Sequence, residues 1–161
     1  MSISKIRVML LSLLLTLVSI NVYADSAEKI EATVDEIAKK YDGVSGVEVI
    51  SVTKGNGLEL VKMMFKKQFG KEFMRRVTSI TIISYSDAEA AVCESLRKDL
   101  DKFISVLEEF DLSGNKDVSE KGYSRCFARR TEAGTLSDFV IAMEQDLHKM
   151  VVYMAGEIVV E

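Results

Sequence analysis

The chain has 161 residues, of which 48% are hydrophobic and 29% charged, with a formal net charge of −4, one histidine, two cysteines and no proline or tryptophan. This is the composition and length of one globular domain. The acidic balance argues against general nucleic-acid binding, which needs a basic surplus. A lone histidine without any Cys-x-x-Cys pair leaves no usual zinc-ligand set.

Residues 1–24 read as a secretory signal peptide. Lys5 and Arg7 give a positive start, and Val8 to Ile20 is an apolar run of 13 residues. That is short for a membrane span, which needs about 20 residues. Val22-Tyr23-Ala24 ends the segment as a cleavage site with Asp25 the first mature residue; an uncleaved membrane anchor is the alternative. No cysteine follows the apolar run, so no lipid-bearing cysteine is expected. Residues 25–161 then form a single domain with a formal charge of −6.

Ser26 to Tyr41 predicts a helix. Ser26 is placed as N-cap, and Ile30, Val34, Ile37 and Tyr41 fall on one stripe. Gly46 to Thr53 (GVEVISVT) predicts a strand and Gly55-Asn56-Gly57 a turn. Leu58 to Phe69 predicts a second helix with Leu58, Val61, Met64, Phe65 and Phe69 on its inner side, closed by Gly70. Arg76 to Tyr85 reads as a strand. A long helix, capped by Asp87, is expected to run to about Phe110 on a stripe of Val92, Leu96, Leu100, Phe103, Leu107 and Phe110, with Cys93 at its border. Asp111 to Lys121 is a polar loop.

The last part of the chain, Gly122 to Glu157, predicts three antiparallel strands. With Ala133-Gly134 as the first turn, Arg129 faces Asp138, Ala128 faces Phe139 and Cys126 faces Ile141. With Gln145-Asp146 as the second, Met143 faces His148, Ile141 faces Met150 and Phe139 faces Val152. Alternation along the strands sorts the side chains onto two faces. One carries Cys126, Ala128, Phe139, Ile141, Met143, Met150, Val152 and Met154, and is expected to lie under helices. The other carries Arg125, Phe127, Arg129, Asp138, Val140, Lys149, Val151 and Tyr153.

These elements predict an α+β fold: a two-layer sandwich of about five strands, with helices on one face. The first two strands are expected to form a parallel βαβ unit, followed by the antiparallel meander. The stretches GVEVISVT, LELVKMMFKKQFG, SITIISYS and LSDFVIAMEQDLHKMVVYMAGEI resemble the exported "domain of unknown function 4252" family, mostly from Bacteroidetes. The resemblance covers almost the whole chain after the signal segment. It implies an exported bacterial protein of the cell envelope, in the periplasm or outside the cell, and it carries no activity and no catalytic residues. The chain departs from the lipoprotein members in lacking their lipid-bearing cysteine.

Three groups of residues stand out. The second meander face, with Phe127, Val140, Val151 and Tyr153 at its centre and Arg125 and Arg129 at its rim, has the make-up of a protein interface if it is left bare. Cys93 and Cys126 are expected to be buried on the same side of the sheet, either bonded, as export would allow, or as two separate thiols. Lys62, Lys66, Lys67, Lys71, Arg75 and Arg76 lie within 15 residues that contain one acid, Glu72. They are either a patch for an anionic partner or a solvated face whose lysine stems cover apolar neighbours.

His148 next to either cysteine would be the only nucleophile–base pair, and no elbow motif accompanies it. No catalytic residue, cofactor or metal is assigned. The reading is a non-enzymatic interaction module of the envelope, binding an unknown envelope protein or itself, without nucleic acid. Membrane association is left open. The alternative is a small enzyme or ligand carrier, which a concave pocket with converging polar groups would favour.

Overall fold

A computed structural model describes residues 29–110, 122–145 and 147–158. The expected signal peptide 1–24, the expected N-cap Ser26, the expected polar loop 111–121 and Asp146 of the expected second turn lie outside the described residues. The elements in order are α1 (29–41), β1 (Glu48–Val52), α2 (Gly55–Phe69), α3 (Lys71–Arg76), β2 (Val77–Ser84), α4 (Ala90–Ile104), β3 (Glu108–Phe110), β4 (Gly122–Arg130), β5 (Leu136–Gln145) and β6 (His148–Ile158). The six strands form one antiparallel sheet in the order β1-β2-β6-β5-β4-β3. The α+β class holds, with six strands where about five are expected.

Apolar spacing explains why α1 and α4 form where they do. In α1 the residues Ile30, Val34, Ile37, Ala38 and Tyr41 are all buried; in α4 the buried set is Cys93, Leu96, Leu100 and Phe103. Both stripes repeat every three or four residues, so each helix can hide one side and wet the other. They pack on the face of the sheet that carries Ile83, Phe127, Val140, Val151 and Tyr153. On the opposite face, Leu58 of α2 and Met74 of α3 join Ile80, Cys126, Ala128, Phe139, Ile141, Val152 and Met154. Helices therefore cover both faces, not one. Alternation makes each central strand apolar on both sides, and both sides need cover.

The β1–β2 connection also differs from expectation. Val52, at the end of β1, lies beside Ile80 near the start of β2, and the two strands are antiparallel. A single crossover helix carries a chain to the far end of a sheet and produces parallel strands. Here the helical run breaks at Gly70, whose φ of 85° ends α2 while its N–H bonds to the Lys66 carbonyl at 2.9 Å. The short α3 then returns the chain to the end it left. Gly156 allows this return, because a Cβ there would come within 2.5 Å of the Arg76 carbonyl oxygen. Gly55-Asn56-Gly57 forms the first turn of α2 rather than a free turn.

The meander keeps its two predicted faces although both turns differ. At the second turn Gln145 pairs with His148 and Met143 with Met150, two residues on from the expected register. A shift of two leaves the alternation intact. At the first turn Thr131 and Thr135 close a loop of three residues with Gly134 at φ 78°. That pairs Arg129 with Ser137 and Arg130 with Leu136. A bulge at Asp138 removes the expected Ala128–Phe139 pair, and beyond it Phe127 meets Val140 and the expected pair of Cys126 with Ile141 is restored.

Candidate interaction surface

The residues expected to form a bare face are packed beneath α1 and α4. Phe127, Val140, Val151 and Tyr153 are all buried in the same cluster as Ile30, Val34, Leu96 and Phe103. This corrects the expectation of an open interface there. The cause is the face to which α1 and α4 go. Arg125 sits at the margin, with its guanidinium 4.9 Å from the Phe127 ring centre and two bonds of 2.8 Å to Glu109 across the β3–β4 pair.

Arg129 belongs to a buried polar knot. Its Nε donates to Asp138 at 2.9 Å, the Tyr153 hydroxyl donates to the other Asp138 oxygen at 2.7 Å, and Ser137 donates to the same carboxylate at 3.1 Å. Asp138 itself has φ 54°, the one positive value away from glycine among the described residues. Asp tolerates this left-handed conformation better than most residues. The bulge turns its carboxylate inward, where an arginine and a tyrosine satisfy it. Burial, reinforced by the negative charge of Asp138, holds the Tyr153 hydroxyl far above the ordinary tyrosine range and keeps it a donor.

Two further polar clusters join helices to the sheet or to each other. Tyr41 and Lys40 of α1 reach Asp99 of α4 at 2.8 and 2.5 Å. The Lys40 bond is the main reason the Asp99 carboxyl stays well below the usual aspartate range. Burial alone would raise the Glu144 pKa, but bonds from Arg97 of α4 and Tyr85 outweigh it and lower it. Each of these carboxylates is therefore engaged within the fold.

The cysteines lie on opposite faces of the sheet. Cys93 is buried with α1 and α4, and Cys126 is buried among Ile141, Val152 and the α2–α3 side. Both are free thiols. The expectation of a shared side fails because α4 packs on the face opposite Cys126, and the sheet separates the two. Burial pushes the Cys126 thiol up to about 11, away from nucleophilic use at neutral pH. His148 is exposed at the start of β6. Among the described residues no group of three or more His, Cys, Asp or Glu side chains is placed to hold a metal ion.

A small apolar cavity lies between α1, α4 and the sheet, lined by Val34, Ile37, Leu100, Phe103, Val151 and Tyr153, with Thr81 and Ile83. Thr81 and Tyr153 bring its only hydroxyls, and that of Tyr153 is already committed to Asp138.

The basic group divides. The Lys62 side chain is only 13% exposed and lies 3.4 Å from Glu59, so it belongs to the flank of α2 rather than to an open patch. Arg75 pairs with Glu72 at 2.8 Å. Lys66, Lys67, Lys71 and Arg76 are exposed, and no carboxylate partner for them exists among the described residues.

What the sequence reading missed lies beside them. Leu60, Met63 and Met64 of α2 are 63%, 68% and 75% exposed. Leu58, Val61, Phe65 and Phe69 turn toward the sheet. At 100° per residue, Leu60, Met63, Met64 and Lys67 fall on the opposite side of the helix. Met64 therefore faces out, not in as expected. The signal was available: α2 has more apolar residues than one stripe can use, which marks a helix with a second apolar side. No family model, no curated protein and no solved structure matches this chain.

Proposed function

We propose that this protein is an exported, non-enzymatic interaction module of the bacterial cell envelope, and that it docks through the outer side of α2 and the start of α3. The observation that carries this reading is the row Leu60, Met63 and Met64, left in solvent on a helix whose other apolar side is already used. Exposed large apolar side chains grouped on one element mark contact surfaces more often than scattered single ones do. The polar clusters at Asp138, Asp99 and Glu144 are closed by partners within the fold, which suits a scaffold better than a reaction centre. Export rests on the signal-like residues 1–24, and the envelope on the resemblance to the exported family.

The test is fractionation of the native host, comparing the unaltered chain with a Leu60→Gln, Met63→Gln, Met64→Gln variant. The unaltered protein is expected in the envelope fraction and the variant in the soluble extracytoplasmic fraction, at equal abundance. Equal distribution of the two would remove α2 from any docking role.

A further inference from the structure

Taking the α2–α3 docking surface as its starting point, we infer that the partner is an anionic phospholipid surface, with α2 lying along it as an interfacial helix. Three observations converge. The first is charge. Residues 54–76 contain seven basic and two acidic side chains, while the whole chain is −4, so the remainder has a surplus of nine acids. An anionic surface attracts this segment and repels the remainder on balance, which orients the approach.

The second is shape. The apolar residues stand on the crest of one helix, not in a groove. A stable protein interface buries about 800 Å² on each partner. Three side chains on a single crest fall short of that, but an interfacial helix inserts such a row into the headgroup boundary. The third is chemistry. Met63 and Met64 are unbranched and adapt to a disordered environment. Lys67 shares their side of the helix, so its stem can lie along the acyl boundary while its ammonium reaches a phosphate. Lys66, Lys71 and Arg76 add charges with no internal carboxylate partner among the described residues.

The experiment is co-sedimentation of the protein, as processed by its native host, with vesicles of equal parts phosphatidylglycerol and phosphatidylcholine, and with phosphatidylcholine alone. Binding is expected to the anionic vesicles only and to weaken with added salt. Replacing Lys66 and Lys67 with Gln should weaken it roughly 25-fold, at about fivefold for each charge removed. The Leu60→Gln, Met63→Gln, Met64→Gln variant should lose at least about tenfold through the lost apolar burial. Lys98→Gln, on α4 across the sheet, should stay within about twofold. Circular dichroism confirms that each variant is folded.

Equal binding to both vesicle types, or wild-type binding by either α2 variant, overturns the inference. So does a lipid-free dimer that dissociates in the α2 variants, which would make a second copy the occupant. If vesicle binding fails while envelope fractionation still depends on Leu60, Met63 and Met64, the lipid is wrong and the docking surface stands. If neither assay responds to them, both readings fall.

Discussion

The two helical layers use their apolar residues differently. On one face α1 and α4 together bury nine side chains, from Ile30 to Tyr41 and from Cys93 to Phe103. On the other, Leu58 is the one fully buried side chain among those described in α2, with Val61, Phe65 and Phe69 partly covered, and three large apolar side chains face solvent. Both layers sit on the same sheet and both are rich in large apolar side chains. Apolar content therefore does not tell how firmly a helix is held. What tells is whether its apolar residues share one side. The first layer keeps the fold together, and the second divides its apolar surface between the sheet and the outside.

The largest expected effect comes from weakening the first layer. Leu96 of α4 is fully buried against the sheet, and Leu96→Ala should cost about 3 to 4 kcal/mol in urea unfolding. A loss below about 1 kcal/mol would mean that this layer is no better packed than the other. Gly46→Ala comes next, at about 3 kcal/mol. Gly46 has φ 79°, and an added Cβ would lie 2.2 Å from the Asp87 carbonyl oxygen, where the approach to β1 touches the β2–α4 connection.

Asp138→Asn keeps a residue that tolerates positive φ but removes the charge facing Arg129, and should cost about 2 kcal/mol. A smaller effect is expected at Asp99, which links the two helices of the first layer. Its pKa is depressed in the folded state, so its contribution is complete above the ordinary aspartate range. It is lost as pH falls through that range toward the lower folded value. Asp99→Asn should flatten the acid limb of the stability curve, by at most about 1 kcal/mol, because Lys40 is largely in solvent and screened. An unchanged acid limb would leave the Lys40 bond without energetic weight. The smallest effect belongs to the second layer: the triple Gln variant of Leu60, Met63 and Met64 should leave the unfolding midpoint within about 0.5 kcal/mol. A larger loss would show that these residues pack inward and that the contrast between the layers is less than drawn.

Much of the fold was legible because alternation and helical spacing are robust to small errors. The stripes of α1 and α4 were readable as far as Phe103. The sorting of the meander onto two faces survived a two-residue shift at one turn and a three-residue loop at the other. Three features escaped for identifiable reasons. Leu107 and Phe110 continue the three- and four-residue steps of the α4 stripe, so the short β3 was hidden inside a helical pattern. Gly70 reads as a stop, yet it only breaks a helical run that resumes as α3, and that break is what makes β1 and β2 antiparallel. The surface on α2 escaped because methionine suits both a core and an exposed crest, so residue type draws Met64 into the inner stripe although helical spacing sets it on the outer side.

The bulge at Asp138 gives the β4–β5 hairpin a kind of reading frame. Its loop holds one residue more than the two-residue turn the sequence suggests, and the bulge holds one residue that the ladder skips. Because the two cancel, Cys126 still meets Ile141, while Leu136, beyond the bulge, lands in the cluster of the α2–α3 side. Lengthening or shortening the loop alone would leave the bulge uncompensated and throw every side chain from Phe139 inward onto the wrong face. A second change of opposite sign anywhere between the loop and Phe139 would restore the frame. Length changes in this hairpin should therefore be tolerated in pairs and not singly, like a frameshift and its suppressor in a coding sequence.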